Sequence, residues 1–275
     1  DFESQEIDPI RALHSYSYFF RVCRDHFNQF EHQKQEPSKK YDSNLLNNAY
    51  RFWILLNLIQ TYTPSTGIGT ILDMGVYPGT LVRLMRRLLF HDYEKWNIIG
   101  TGLALTKEFR EGLAPFKVEL FEQDFDDDSL EYDYSCDLVI CSEVIEHVFR
   151  PLQFLETAFR NLKTGGRLIL TTPNISYFEG LVKLATGRSN LGPLELSYAM
   201  SPKNDWRGHV RLFSRQELEI MASRVGFTGV SVRYMDFRDI MARKFSRCRR
   251  FEPYLRRMMY MLPLYRPNLL LLAVK

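Results

Sequence analysis

Glu143, Glu146 and His147 stand together in the run "CSEVIEHV". If a helix begins near Val144, spacings of three and four put all three side chains on one face. Two carboxylates and an imidazole there suit a divalent cation. Oxygen-rich ligation favours Mg²⁺ or Mn²⁺, and the histidine also admits Zn²⁺. Such an ion would hold a substrate oxygen and lower its pKa. Without a metal, His147, or His209 in "RGHVRLF", can serve as a general base. The plain structural alternative is a helix start dressed with acids because its dipole favours them, plus a structural histidine. Candidate catalytic residues are therefore His147, Glu143 and His209; candidate metal ligands are Glu143, Glu146 and His147.

A second constellation lies in "TILDMGVYPGTLVRLMRRLLF", residues 70–90. An apolar run ends on Asp73, a turn carries Gly75 and Gly79, and a run with helical spacing follows. Gly75 lets backbone approach a ligand closely, and Gly79 lets a helix start against the strand. The spacing D-x-G-x-x-x-G gains meaning from its setting between strand and helix. A tight strand-to-helix turn without a ligand is the alternative.

Both constellations need a scaffold, and the hydrophobic pattern supplies one. Strand-like runs are "GTILDMG", "WNIIGTGLA", "KVELFEQD", "CDLVICSE", "GRLILTTPN", "TGVSVRYMDF" and "NLLLLAVK". Helical spacing predicts helices over Thr80–Phe90, Lys107–Pro115, Pro151–Leu162 and Arg215–Val225. Short, nearly wholly apolar strands alternating with helices indicate a parallel sheet covered on both faces. The last two runs lack a compact crossover helix and are expected to pair antiparallel. Upstream, residues 9–32 are aromatic-rich and read as helical, and 32–43 read as a linker. Ser43 is a candidate cap for a helix through "NLLNNAYRFWILLNLIQTYT".

The segment "CDLVICSEVIEHVFRPLQFLETAFRNLKTGGRLILTTPN", followed by "GHVRLFSRQELEIMASRVGF", resembles class I S-adenosylmethionine-dependent methyltransferases. The likeness spans roughly residues 68–237 and is nearest to ubiquinone-biosynthesis O-methyltransferases and related bacterial glycan and small-molecule methyltransferases. It implies a Rossmann-like, doubly wound, mostly parallel seven-stranded α/β sheet with its last strand antiparallel. It implies Asp73, Gly75 and Gly79 at the methionine and ribose end of S-adenosylmethionine. Asp124 would sit by the adenine amino group, with Phe125 packed on the ring. Ser142 and Glu143 would face the sulfonium and the acceptor. The ubiquinone-pathway enzymes use the E-x-x-E-H positions for a metal. Small-RNA terminal 2′-O-methyltransferases add a distant histidine, and His209 lies at a comparable remove.

Two positions depart from the family pattern. Tyr77 replaces a glycine of the turn, and Gly102, in "IIGTGLAL", occupies the slot of an acid that grips the ribose hydroxyls. Losing that acid would cost on the order of 1.5–3 kcal/mol of cofactor affinity. The hydroxyl of Tyr77 or Thr101 is a candidate substitute. Both positions remain cofactor-binding candidates.

The expected organisation is a helical extension over 1–64 and a methyltransferase domain over 65–275. A lid insertion is expected over 175–213, with Tyr177, Phe178, Tyr198 and Trp206 as stacking candidates. A basic and apolar insertion is expected over 238–266. Residues 237–257 hold eight basic and two acidic residues, and "MMYMLPLY" follows. That order suits an interfacial helix on an anionic membrane, or a solvated basic face over a packed segment.

With 275 residues, 45% hydrophobic, the chain can bury a full core. No run is long enough to span a membrane. The start "DFESQEIDPI" shows no signal peptide, and the missing initiator Met suggests a removed upstream part. The four cysteines lack paired spacing and read as reduced thiols. A net charge of +3 is too small to imply nucleic acid. The reading is a cytoplasmic O-methyltransferase, with peripheral placement on the inner face of a membrane. Its acceptor would be a small molecule, a glycan or a lipid-linked compound. The alternatives are a methyltransferase-fold binding or scaffold protein without catalysis, and a metal-dependent RNA 2′-O-methyltransferase.

Overall fold

The computed structural model describes residues 14–21, 23, 48–63, 67–90, 95–103, 105–127, 133–191, 208–236 and 258–275. All seven strand-like runs are strands: β1 (Gly69–Met74), β2 (Trp96–Gly102), β3 (Val118–Glu122), β4 (Cys136–Ser142), β5 (Leu162–Pro173), β6 (Thr228–Met235) and β7 (Asn268–Val274). They form one sheet in the order β3-β2-β1-β4-β5-β7-β6. Strands β1 to β5 pair parallel, whereas β7 runs antiparallel to both β5 and β6. The expected antiparallel pair and last strand are both present. Three of the four predicted helices end one or two residues early, and the fourth has the predicted bounds. They are α2 (Thr80–Leu88), α3 (Lys107–Leu113), α4 (Pro151–Asn161) and α6 (Arg215–Val225), with α1 (Ala49–Tyr62) before the sheet and α5 (Phe178–Ala185) after β5.

Near-continuous apolar strands follow from burial on both faces. In β1, Ile71 joins one core and Leu72 and Met74 the other; in β4, Leu138 and Ile140 oppose Val139 and Cys141. The first core is covered by α1 and α2 through Leu55, Leu56, Ile59, Val82 and Met85. The second is covered by α4 and α6 through Phe154, Leu155, Leu218 and Ala222. Thus α1 belongs to the body of the fold. Cys23, Cys136 and Cys141 are buried free thiols.

Local signals fix the helix ends. In α6, Ser214 and Glu217 form a reciprocal capping box and Gly226 closes the helix at φ 114°. In α2, Arg86 is buried and donates to the carbonyls of Trp96 (2.8 Å), Phe116 (2.9 Å) and Lys117 (3.0 Å). That one guanidinium ties α2 to the start of β2 and the approach to β3. The expected linker, Ser43, Tyr198, Trp206 and residues 237–257 lie outside the described residues.

Candidate active site

Ligands of a doubly wound sheet bind beyond the carboxyl ends of its strands, where the order reverses. Here that point lies between β1 and β4. A crevice of about 130 Å³ opens there, lined by Arg51 and Phe52 of α1, Asp73, residues 75–78, Thr80 and Leu81 of α2, Ser142 and Glu143. Gly75 is indispensable to its floor. Its φ is 96°, and a Cβ there would stand 2.2 Å from Cγ2 of Val144. The amides of Gly75 and Val76 both donate to the Thr101 carbonyl, at 2.8 and 3.0 Å, which locks the turn against β2. The Tyr77 ring leans on Phe109 of α3 with 5.5 Å between centroids, so the phenol forms part of the rim.

The crevice is polar and underbonded. Asp73 is buried, and the loss of water pushes its carboxyl up to about 7. An Arg51 nitrogen lies 3.3 Å from the Glu143 carboxylate, and Glu143 sits at φ 58°. Even so, Arg51 Nε, Glu143 Oε1 and Thr80 Oγ1 are buried without a hydrogen-bond partner. Three orphaned groups around one concavity is the arrangement expected where a polar ligand completes the bonding.

Beside the crevice, Glu146, His147 and His209 converge, with ligand atoms all within 4.8 Å of one another. The His147 Nδ1–H donates to the Gly208 carbonyl at 2.7 Å, which leaves Nε2 of the neutral ring as an acceptor. That Nε2 lies 3.8 Å from Glu146 Oε1, itself buried and without a hydrogen-bond partner. The other oxygen of Glu146 accepts from the Thr172 hydroxyl at 2.9 Å. Burial first, then the charge of Glu143, raise the Glu146 carboxyl well above its usual range. Burial, then His147, lower His209 to about 4. Amides of Val210 and Arg211 donate to the Glu146 carbonyl, at 2.8 and 3.3 Å, and so hold the His209 loop in place. Acceptors face one another here, so a proton or a cation between them would be favoured.

The sequence matches a family described as a methyltransferase domain over residues 17–232. The chain belongs to the class I S-adenosylmethionine-dependent methyltransferases. No curated protein matches it. Solved structures share the fold at low identity. A methyltransferase from Thermotoga maritima superposes with TM-score 0.52 at 18% identity, covering 86% of this chain and 96% of that one. One from Mesorhizobium loti gives 0.53 at 17%, covering 81% and 97%. Phosphoethanolamine N-methyltransferase 2 of Haemonchus contortus, solved with S-adenosylmethionine, gives 0.55 at 17%, covering 90% of this chain and 60% of its own.

The methyltransferase brings Asp73, Gly75, Tyr77, Ser142 and Glu143 to the crevice, while Gly79, Gly102, Asp124 and Phe125 stand outside its lining. Gly79 caps α2 at φ 82°. Asp124 accepts from the Asp126 amide at 3.1 Å, and Phe125 is buried edge-on against Phe154, 5.0 Å between centroids. Phe125 joins the second core.

The E-x-x-E-H segment also differs from expectation. Residues Ile145–His147 form a single 3-10 turn instead of a helix starting near Val144. The left-handed backbone at Glu143 swings its carboxylate to Arg51, and His209 takes its place beside Glu146 and His147. Arg51 was missed by sequence reading. A cation on the apolar-patterned "AYRFWILLNLIQTY" helix was the available signal, and nothing local said that it faced the crevice.

Proposed function

We propose that this methyltransferase moves the sulfonium methyl of S-adenosylmethionine to a hydroxyl oxygen of a small-molecule, glycan or lipid-linked acceptor. The observation that carries this reading is the underbonded crevice beside a base-bearing cluster. Asp73 would face the cofactor ammonium, and Arg51 its carboxylate, displacing Glu143 from the guanidinium. Ser142 and Glu143 lie towards the acceptor side. The enclosed crevice is smaller than the roughly 300 Å³ usual for ligand sites. The adenosyl group would therefore extend beyond the crevice, past Gly75.

A hydroxyl must lose a proton on becoming an ether, and His147 Nε2 is held as an acceptor to take it. Alignment of donor and acceptor supplies most of the rate. The orphaned Glu146 oxygen and two neutral imidazoles also fit a divalent cation, held by Glu146, His147 and His209. When bound it would act as a Lewis acid on the acceptor oxygen.

Calorimetric titration with S-adenosylmethionine and S-adenosylhomocysteine tests the cofactor half. Transfer of a labelled methyl to hydroxyl and amine panels, with the product bond identified by mass spectrometry, tests the acceptor half. Binding with an O-methyl product is expected. An N-methyl product overturns the hydroxyl assignment, and failure of both ligands to bind overturns the whole reading. Loss of turnover on chelation and its return with Mg²⁺, Mn²⁺ or Zn²⁺ is the mark of the cation; turnover indifferent to chelation removes it.

A further inference from the structure

Beyond β5 the chain turns into α5, and residues 181–189, from the second half of that helix onward, are all exposed. Leu181, Val182 and Leu184 are among them, with Leu184 49% exposed. A second apolar group lies on the helical turn before β7, where Met258 is 64%, Met261 76% and Leu264 46% exposed. The two groups are neighbours. The Tyr260 hydroxyl donates to the Glu179 carboxylate of α5, and Asn174 Nδ2 donates to the carbonyls of Leu264 (2.8 Å) and Arg266 (2.7 Å). Six large apolar side chains exposed on two tied elements exceed the single exposed residues of an ordinary surface.

Charge indicates what covers them. Lys183 and Arg188 are exposed on this face, and residues 180–191 contain no acid. The neighbouring Glu179 is engaged by Tyr260. The sequence entering Met258 carries eight basic residues against two acidic ones over 237–257. Exposed apolar side chains beside Lys183 and Arg188, next in sequence to a basic segment, suit an anionic lipid surface. A second copy of the chain would bring like charges together. Among the described residues no helix is long and apolar enough to cross a membrane, so the contact is one of lying on the lipid.

We propose that Leu181, Val182 and Leu184 with Met258, Met261 and Leu264 seat the enzyme on an anionic bilayer. The seat shares an end of the sheet with the crevice. Pro173, at the end of β5, pairs with Asn268, whose side-chain amide reaches the Glu143 carboxylate at 3.5 Å. An acceptor anchored in the lipid would thus meet the catalytic end of the sheet. This orientation rests on the methyl-transfer reading, whereas the seat itself does not.

The test is cosedimentation of the full chain, without cofactor or acceptor, with phosphatidylcholine vesicles and with vesicles that also contain phosphatidylserine. Binding to the anionic vesicles is expected, with a loss of at least about tenfold in both Leu184→Glu/Met261→Glu and Lys183→Glu/Arg188→Glu. Circular dichroism and S-adenosylhomocysteine affinity should stay unchanged in both, which separates a lost seat from a lost fold or a lost cofactor site. The proposal is overturned if no vesicle binds, if both vesicle types bind equally, or if the double variants bind as well as wild type. A dimer in light scattering that Leu184→Glu/Met261→Glu dissolves would assign the face to a second copy and overturn it too.

Discussion

Replacing Asp73 by Asn should stabilise the empty enzyme at alkaline pH and weaken its hold on the cofactor. The carboxyl is completely buried, and desolvation raises it from 3.8 to about 7. A folded pKa above the unfolded one means the native state holds the proton more tightly. That contribution to stability is full below pH 3.8 and is lost as pH rises through about 7. About three pH units correspond to roughly 4 kcal/mol once the group is ionised, of which about 2–3 kcal/mol falls between pH 5 and 8. For a chain of this size that is about 5–10 °C in melting temperature. Thermal melts of wild type and Asp73→Asn across that range isolate the term, because every other titration is common to both. The gap between the two should widen in favour of the variant as pH rises. Binding runs the other way. An ammonium group needs the ionised carboxylate, so S-adenosylhomocysteine affinity should fall in wild type below about pH 7 and be weak and pH-flat in Asp73→Asn. Parallel melting curves, or equal pH profiles of binding, would refute the burial argument.

Arg51→Ala should weaken S-adenosylhomocysteine binding by roughly tenfold to a hundredfold, the worth of a charge-assisted hydrogen-bonding group, as read by calorimetry. Gly75→Ala forces a Cβ to 2.2 Å from Val144 at φ 96°; cofactor binding should be lost, and the melt should show destabilisation of about 2 kcal/mol or more. Arg86→Met strands three carbonyls and should cost about 3 kcal/mol or more in denaturant unfolding, with the expressed protein poorly soluble. Gly102→Asp restores the acid of the family pattern, but at φ 155°; calorimetry should show no tenfold gain in affinity, and the melt should fall.

The sheet was legible because burial on both faces leaves a composition signal. β1, β2, β4 and the second half of β5 are largely apolar, buried runs, whereas β3, at the sheet edge, mixes apolar residues with glutamates. The site was legible where a residue's place follows from its strand end: Asp73, Gly75, Ser142 and Glu143 each lie within a residue of one. It was illegible where a single backbone torsion decides the outcome. At Glu143, φ 58° sends the carboxylate to Arg51 instead of Glu146, and no residue type in "SEVIEHV" announces it.

The missing sugar-gripping acid has a structural explanation. A Cβ at Gly102 would lie 3.7 Å from Gly75 Cα and from the Val76 amide nitrogen, so space alone does not forbid a side chain. The backbone does: φ 155° is a conformation glycine adopts readily and aspartate does not. The Gly102 carbonyl also accepts the Gln123 amide at 2.9 Å, which ties the end of β2 to the end of β3. The neighbouring Thr101 hydroxyl is fully buried and lacks a hydrogen-bond partner, which leaves it a candidate for the substitute donor. On the proposed pose, strong polar groups gather at the amino-acid end, in Arg51 and Asp73, and one weak hydroxyl remains at the sugar end. Affinity should then depend on the amino and carboxylate groups more steeply than on the ribose hydroxyls. An S-adenosylhomocysteine analogue without its carboxylate should lose more binding than one without its 2′-hydroxyl. The reverse order would mean that the sugar is gripped by residues other than those around Gly102.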